Sequence, residues 1–254
     1  MAKAARVAGS APVSAFRPAP AGGVNFAAYL EAMAAQIRKA RSGDKTRLRL
    51  MAKGAQLLDS TGFRELNVED VCRAADLAKG TFYIHFESKE VFLEELARRY
   101  VDFEGATVPM RHAETSRFAQ LRLFHHWYEQ MFALNAGVLR CLVQMGEISA
   151  AMRDLWHQRN RRLVDRQTDW IAPPPTALDP ALARLAIRTI GGMIDDSLFE
   201  RYRVQVGPGR EQPDDPELLV ELHTLLMYRA IHGADPDPRE LGPTRAMLDW
   251  QVDH

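Results

Sequence analysis

Residues 62–95 read GFRELNVEDVCRAADLAKGTFYIHFESKEVFLEE, and the breaks inside this stretch decide the fold. Gly62 stops a preceding helix, and Asn67 opens a short one. The Asn67 side chain can accept a backbone N–H, and Asp70, three residues on, can return the favour as in a capping box. That helix ends near Ala75. After only two or three residues a second short helix runs from about Ala78 to His85, and Ser88 caps a longer one that continues through Leu93 and Leu96 to Tyr100. The spacing of Val71, Ala75, Leu77, Phe82 and Phe86 lets the two short helices share one small core with Leu48, Met51 and Phe92. A short helix held at a steep angle by its neighbour, with a polar tip, is what the major groove of DNA accepts.

At that tip Lys79, Gly80 and Thr81 form the first turn of the second helix, and the missing side chain at Gly80 permits close approach to a base pair. These three are the base-edge candidates. Tyr83, His85 and Lys89 carry hydroxyl, imidazole and ammonium donors suited to phosphate oxygens, and Asn67 with the start of its helix can hold another phosphate. The competing reading for Lys79, Thr81, Tyr83 and Lys89 is a solvated surface, and for His85 a packed structural role.

The same stretch resembles the DNA-binding region of the TetR family of regulators. Gly62-Phe63, Val68-Glu69-Asp70-Val71, Lys79-Gly80-Thr81-Phe82-Tyr83, His85-Phe86 and Ser88-Lys89-Glu90 stand in that family's register. The resemblance implies DNA contacts from the matching positions, a larger helical region holding a small-molecule effector, and repression as the usual mode. Two positions depart from the pattern. Asp76 replaces the usual turn glycine, and Ala78 replaces a capping Ser or Thr, a loss of about 1 kcal/mol of helix stability.

Working outward, the periodicity is helical almost everywhere, so the chain reads as all-α. Residues 25–41 form a helix with Phe26, Tyr29, Leu30, Met33 and Ile37 inward. Asp44 caps the next, and Leu48, Met51, Ala55 and Leu58 line its inner face. Arg38, Lys39 and Arg41, with Lys45, Arg47, Arg49 and Lys53, make the most basic interval, read either as an arm tracking phosphates or as a solvated helix face. Further helices are expected over 115–135, 138–148, 150–170, 181–202 and 217–231, with a short one ending at Trp250. Loops are expected at 173–175, 207–214 and 232–243. This divides the chain into a tail at 1–24, a reading head at 25–104 and a helical effector-binding and dimerisation region at 105–254.

In that last region Phe124, Trp127, Tyr128, Met131, Met145, Met152 and Trp156, with Asn160 among them, can surround an apolar or aromatic effector, although the same stripe would serve any helical core. The helices at 181–202 and 217–231 can meet their symmetry mates in a homodimer, which favours a palindromic operator. Among the 254 residues, 33 basic side chains balance 33 acidic ones, which argues against a non-specific architectural DNA binder. The two cysteines, Cys72 and Cys141, are far apart and form no zinc pattern, and a reducing cytoplasm fits them. His125 and His126 lack metal-ligand spacing and Gly191-Gly192 completes no phosphate loop, so neither an enzyme, a metal, a cofactor nor a membrane span is expected.

Overall fold

The computed structural model describes residues 23–37, 42–110, 115–170, 179–202 and 215–248. Among these the regular structure is helical: α1 (Phe26–Gln36), α2 (Ser42–Ser60), α3 (Val68–Ala74), α4 (Lys79–His85), α5 (Lys89–Thr107), α6 (Arg117–Ile148), α7 (Ala150–Trp170), α8 (Pro180–Arg201) and α9 (Pro216–His232). Two 3-10 turns, Pro238–Glu240 and Pro243–Leu248, follow. The all-α expectation holds. The expected tail (up to residue 22), the loops at 173–175 and 207–214, and Trp250 lie outside the described residues.

Local chemistry explains most helix ends. Asn25, Asn67, Ser88 and Ser116 each accept a backbone N–H of the first turn, and Asp179 and Asp215 do the same ahead of Pro180 and Pro216. Gly233, at φ 59°, supplies the left-handed residue after α9.

The structure differs from the sequence reading at several ends. α1 stops at Gln36, and Arg38, Lys39 and Arg41 lie outside the described residues. α2 starts at Ser42, so Asp44 sits in its first turn instead of capping it. The short terminal helix is a 3-10 turn. It is anchored by the buried Glu221, whose Oε1 accepts from the backbone N–H groups of Gly242 and Thr244 and from the Thr244 hydroxyl.

Where two helices were expected to meet near residue 136, α6 is continuous but bends at Asn135, which leaves helical geometry at φ −143°. The cause is a side chain committed elsewhere. Asn135 Oδ1 accepts from the Phe26 N–H at 2.8 Å, and its Nδ2 donates to the carbonyls of Val24 and Met131. Two residues on, Gly137 lets the end of α2 come close: a Cβ there would stand 2.2 Å from the Leu58 carbonyl carbon. The Gly137 N–H donates to Asp59, and Arg140 donates to the carbonyls of Leu58, Asp59 and Tyr202. The seam between α1–α4 and the rest is thus built on the α6 bend. A single apolar core runs through it, from Phe26, Met51, Phe82 and Phe92 to Phe132, Leu142 and Ile194.

Candidate nucleic-acid interface

α3 ends in a Schellman turn: the Leu77 N–H donates to the Cys72 carbonyl at 2.9 Å and the Asp76 N–H to the Arg73 carbonyl at 3.1 Å. Asp76 takes the left-handed conformation this requires, at φ 54°, where a glycine would pay no side-chain penalty. Asp70 does not return the capping-box bond; it pairs with Arg73. Ala78 gives α4 no side-chain cap.

Phe82 and Phe86 are buried against Phe92, which fixes the inner face of α4. Its outer face is consequently open. Gly80 has nothing within 4 Å of the space a Cβ would fill, Thr81 is half-buried, and Tyr83 is 51% exposed. Lys79 reaches 2.6 Å across to Glu69 in an exposed ion pair that holds the Lys79 pKa up and the Glu69 pKa down. Asn67 is exposed at the start of α3. His85 is half-buried beside Gly43, where an added Cβ would lie 3.7 Å from its Cε1.

Two groups of basic residues have other employment than the sequence suggested. The Lys89 ammonium donates to the carbonyls of Phe63, Arg64 and Leu66 at 3.1–3.2 Å, so it clasps the segment before α3 and is not free for phosphate. In the basic interval, Arg47 donates to the His85 carbonyl, pairs with Glu95 and lies 4.3 Å from the Phe86 ring, and Arg49 donates to the Ala75 carbonyl at 2.8 Å. Lys53 pairs with Glu31. Arg47 and Arg49 brace the two short helices from behind, a role that charge alone did not disclose.

Between α6, α7 and α8 lies a cavity of about 460 Å³, with Leu163, Val164, Ile187 and Ile194 among its apolar walls. Of the residues read as able to surround an effector, Phe124, Tyr128 and Asn160 line it; Trp127, Met131, Met145, Met152 and Trp156 do not. Trp127 Nε1 donates to Thr107, the three methionines are buried in the core, and Trp156 lies under the Arg159 guanidinium at 4.7 Å. The sequence could show that these residues face inward but not which side of α6 and α7 leaves a gap.

A buried polar chain leads from that cavity to α5. Arg159 donates to both oxygens of Glu104 at 2.6–3.1 Å and to the Tyr128 hydroxyl at 3.1 Å, and Tyr128 donates to Asp195 in the cavity wall. Burial opposes the Arg159 charge, but Glu104, Tyr128 and Asp195 more than restore it, while burial pushes the Asp195 carboxyl up against the pull of Arg159 and Tyr128. Among the described residues no group of three or more His, Cys, Asp or Glu side chains is arranged to hold a metal, and no helix is long and apolar enough to cross a membrane.

Residues 50–96 match the family model described as bacterial regulatory proteins, tetR family. The HTH-type transcriptional regulator EthR of Mycolicibacterium smegmatis is 38% identical over 213 residues, covering 78% of this chain and 92% of that protein. The chain belongs to the tetR family.

Another tetR-family relative, EthR of Mycobacterium tuberculosis, is 28% identical over 195 residues, 73% of this chain and 85% of that protein. The crystal structure of a tetR-family regulator from Streptomyces coelicolor superposes with a TM-score of 0.59 over 74% of this chain and 80% of that one. At 13% identity it shares the fold. As a member of this family the chain is a DNA-binding transcription regulator, not an enzyme. Within its helix-turn-helix, sequence reasoning missed Ile84, which is 79% exposed on the outer face of α4. The signal was there: Phe82 and Phe86, four apart, define the buried side, which leaves the residue midway between them facing out.

Proposed function

We propose that the protein is a cytoplasmic homodimeric repressor that reads a palindromic operator with the tip of α4 and releases it when a small apolar effector enters the cavity. The observation that carries the reading is the open first turn of α4, where Gly80 has empty space beside it and Lys79 and Thr81 flank it. Lys79, Gly80 and Thr81 meet base edges, Ile84 meets a thymine methyl, and Asn67, Tyr83 and His85 meet phosphates. Lys79 exchanges Glu69 for DNA, a swap that exposure makes easy.

Residues 25–104 act as the reading head and 105–254 as the sensing and pairing region. Pairing is supported by apolar side chains left facing outward on α8 and α9: Leu182, Leu185 and Met193, the last two 59% and 61% exposed, with Leu226. Such a surface on two adjacent helices suits a four-helix interface with a second copy. The route from effector to DNA follows the buried chain Asp195–Tyr128–Arg159–Glu104 into α5, whose first turns hold Lys89 and Glu95 against the head.

Fragments selected from the native genome by the purified protein, then footprinted, test this reading. The expected result is a two-fold symmetric site with half-sites roughly 34–36 Å apart, or a multiple of a turn, bound by a dimer in sedimentation. A monomer at all concentrations, or equal affinity for random duplexes, would overturn it.

A further inference from the structure

Two acceptors in the cavity wall lack donors. The first is on His125. The Thr224 hydroxyl donates to the Val220 carbonyl at 2.7 Å, so toward His125 Nδ1, 3.0 Å away, its oxygen accepts. The imidazole proton is thereby assigned to Nδ1, and Nε2 is left with a bare lone pair. That nitrogen is buried without a hydrogen-bond partner, on a side chain only 2% exposed that lines the cavity. Burial, with His223 nearby, lowers the His125 pKa to about 3, so the ring does not escape by taking a second proton.

The second acceptor is on Asp195. Its Oδ1 receives the Tyr128 hydroxyl, and among the described residues nothing donates to Oδ2. Tyr128, which donates to Asp195 from α6, follows His125 by three residues there, so those two side chains share one face of α6, and Asp195 of α8 meets that face at Tyr128. The cavity's arginines have less to gain from a ligand. Arg184 is already paired with Asp165, and Arg188 and Arg161 stand exposed to water. Of the two, His125 Nε2 is the buried atom without a partner, the kind of group a ligand most relieves, and Asp195 Oδ2 is a further acceptor in the same wall.

We infer that the cavity takes an apolar molecule whose polar end is a hydrogen-bond donor, an alcohol, phenol or amide N–H, bound to Asp195 Oδ2 with His125 Nε2 as the second acceptor. This rests on the effector reading above and narrows its chemistry. Donor attachment at Asp195 also acts on the carboxylate that holds Tyr128, where the buried chain to α5 begins.

The test uses the full chain and matched probes: n-hexanol, n-decanol and para-propylphenol, their O-methyl ethers, and the corresponding carboxylates. Tryptophan fluorescence reads binding, and anisotropy of a labelled operator fragment reads DNA release. The alcohols and phenol are expected to bind at least about tenfold tighter than their ethers. In Asp195→Asn, which can still accept from Tyr128 while presenting an N–H to the cavity, the ranking should reverse toward the ethers. Gly191→Leu places its side chain where nothing lies within 4 Å of the new Cβ, and it should abolish binding of every probe while the chain stays folded. Equal affinity for alcohol and ether, or tightest binding of the carboxylates, overturns the donor inference; the wild-type ratio decides this even if Asp195→Asn does not fold. Donor preference without DNA release leaves the ligand chemistry standing and sinks effector control. If no probe binds, both readings fail.

Discussion

On the outer side of α3 and α4, polar side chains stand in water: Lys79 of α4 and Glu69 of α3 face each other in an exposed pair, and Tyr83 is exposed. Between α5 and α8 the polar side chains are enclosed. Glu104 and Arg159 are each 1% exposed, and Tyr128 and Asp195 complete their bonding from the cavity side. The two regions carry similar residue types with opposite consequences. An exposed pair exchanges water or a partner for phosphate with little loss, whereas a buried charge is held in place because its partner cannot leave without stranding it. The head is therefore suited to swapping partners, and the interior to transmitting a change at one member to the next.

The sharpest way to break that contrast is Glu104→Ala, which strands the Arg159 guanidinium in the core. Urea unfolding should show a loss of about 3–5 kcal/mol. A loss under 1 kcal/mol would mean that water reaches the pair and that the interior differs little from the head.

Next in size is acid sensitivity. Burial lowers the pKa of His125 to about 3 and that of His223 to about 4, whereas the unfolded chain protonates both near 6.5. Unfolding therefore takes up protons between those values, so this contribution is whole above pH 6.5 and is lost as pH falls toward 4 for His223 and toward 3 for His125. The slope approaches about 1.4 kcal/mol per pH unit for each histidine. His125→Gln should flatten the stability profile over that window, and an unchanged profile would place the histidine in contact with water.

The smallest effects come from a matched pair of lysines. Lys89→Met should lower stability by about 1 kcal/mol, since three carbonyls lose their donor, and should leave the salt dependence of operator binding unchanged. Lys79→Ala should do the reverse, leaving the unfolding midpoint in place and reducing the slope of log affinity against log salt by about one ion or less. If both variants alter only the slope, Lys89 leaves its carbonyls to join the DNA contact.

The caps at Asn67 and Ser88, the left-handed Asp76, the uncapped Ala78 and the buried Phe82–Phe86 pair were all legible in the sequence, because each is decided by residues a few positions away. The bend at Asn135 was legible only as a break, since its bonds reach back to Val24 and Phe26. Lys89 looked like a phosphate ligand, and Arg47 and Arg49 like part of either a phosphate-tracking arm or a solvated face, because charge is visible in a sequence and the carbonyls that engage it are not. For the aromatic and methionine stripe, periodicity settled which side faces inward. Only the packing of α6 against α7 and α8 separated Phe124, Tyr128 and Asn160 in the cavity wall from Met131, Met145 and Met152 in solid core. Helix start, turn and inward face are short-range properties written in neighbouring residues, so the sequence alone determined them. A gap between helices, and the imidazole nitrogen of His125 left without a donor in its wall, come from how distant segments fail to fill a volume, which only the tertiary structure decides.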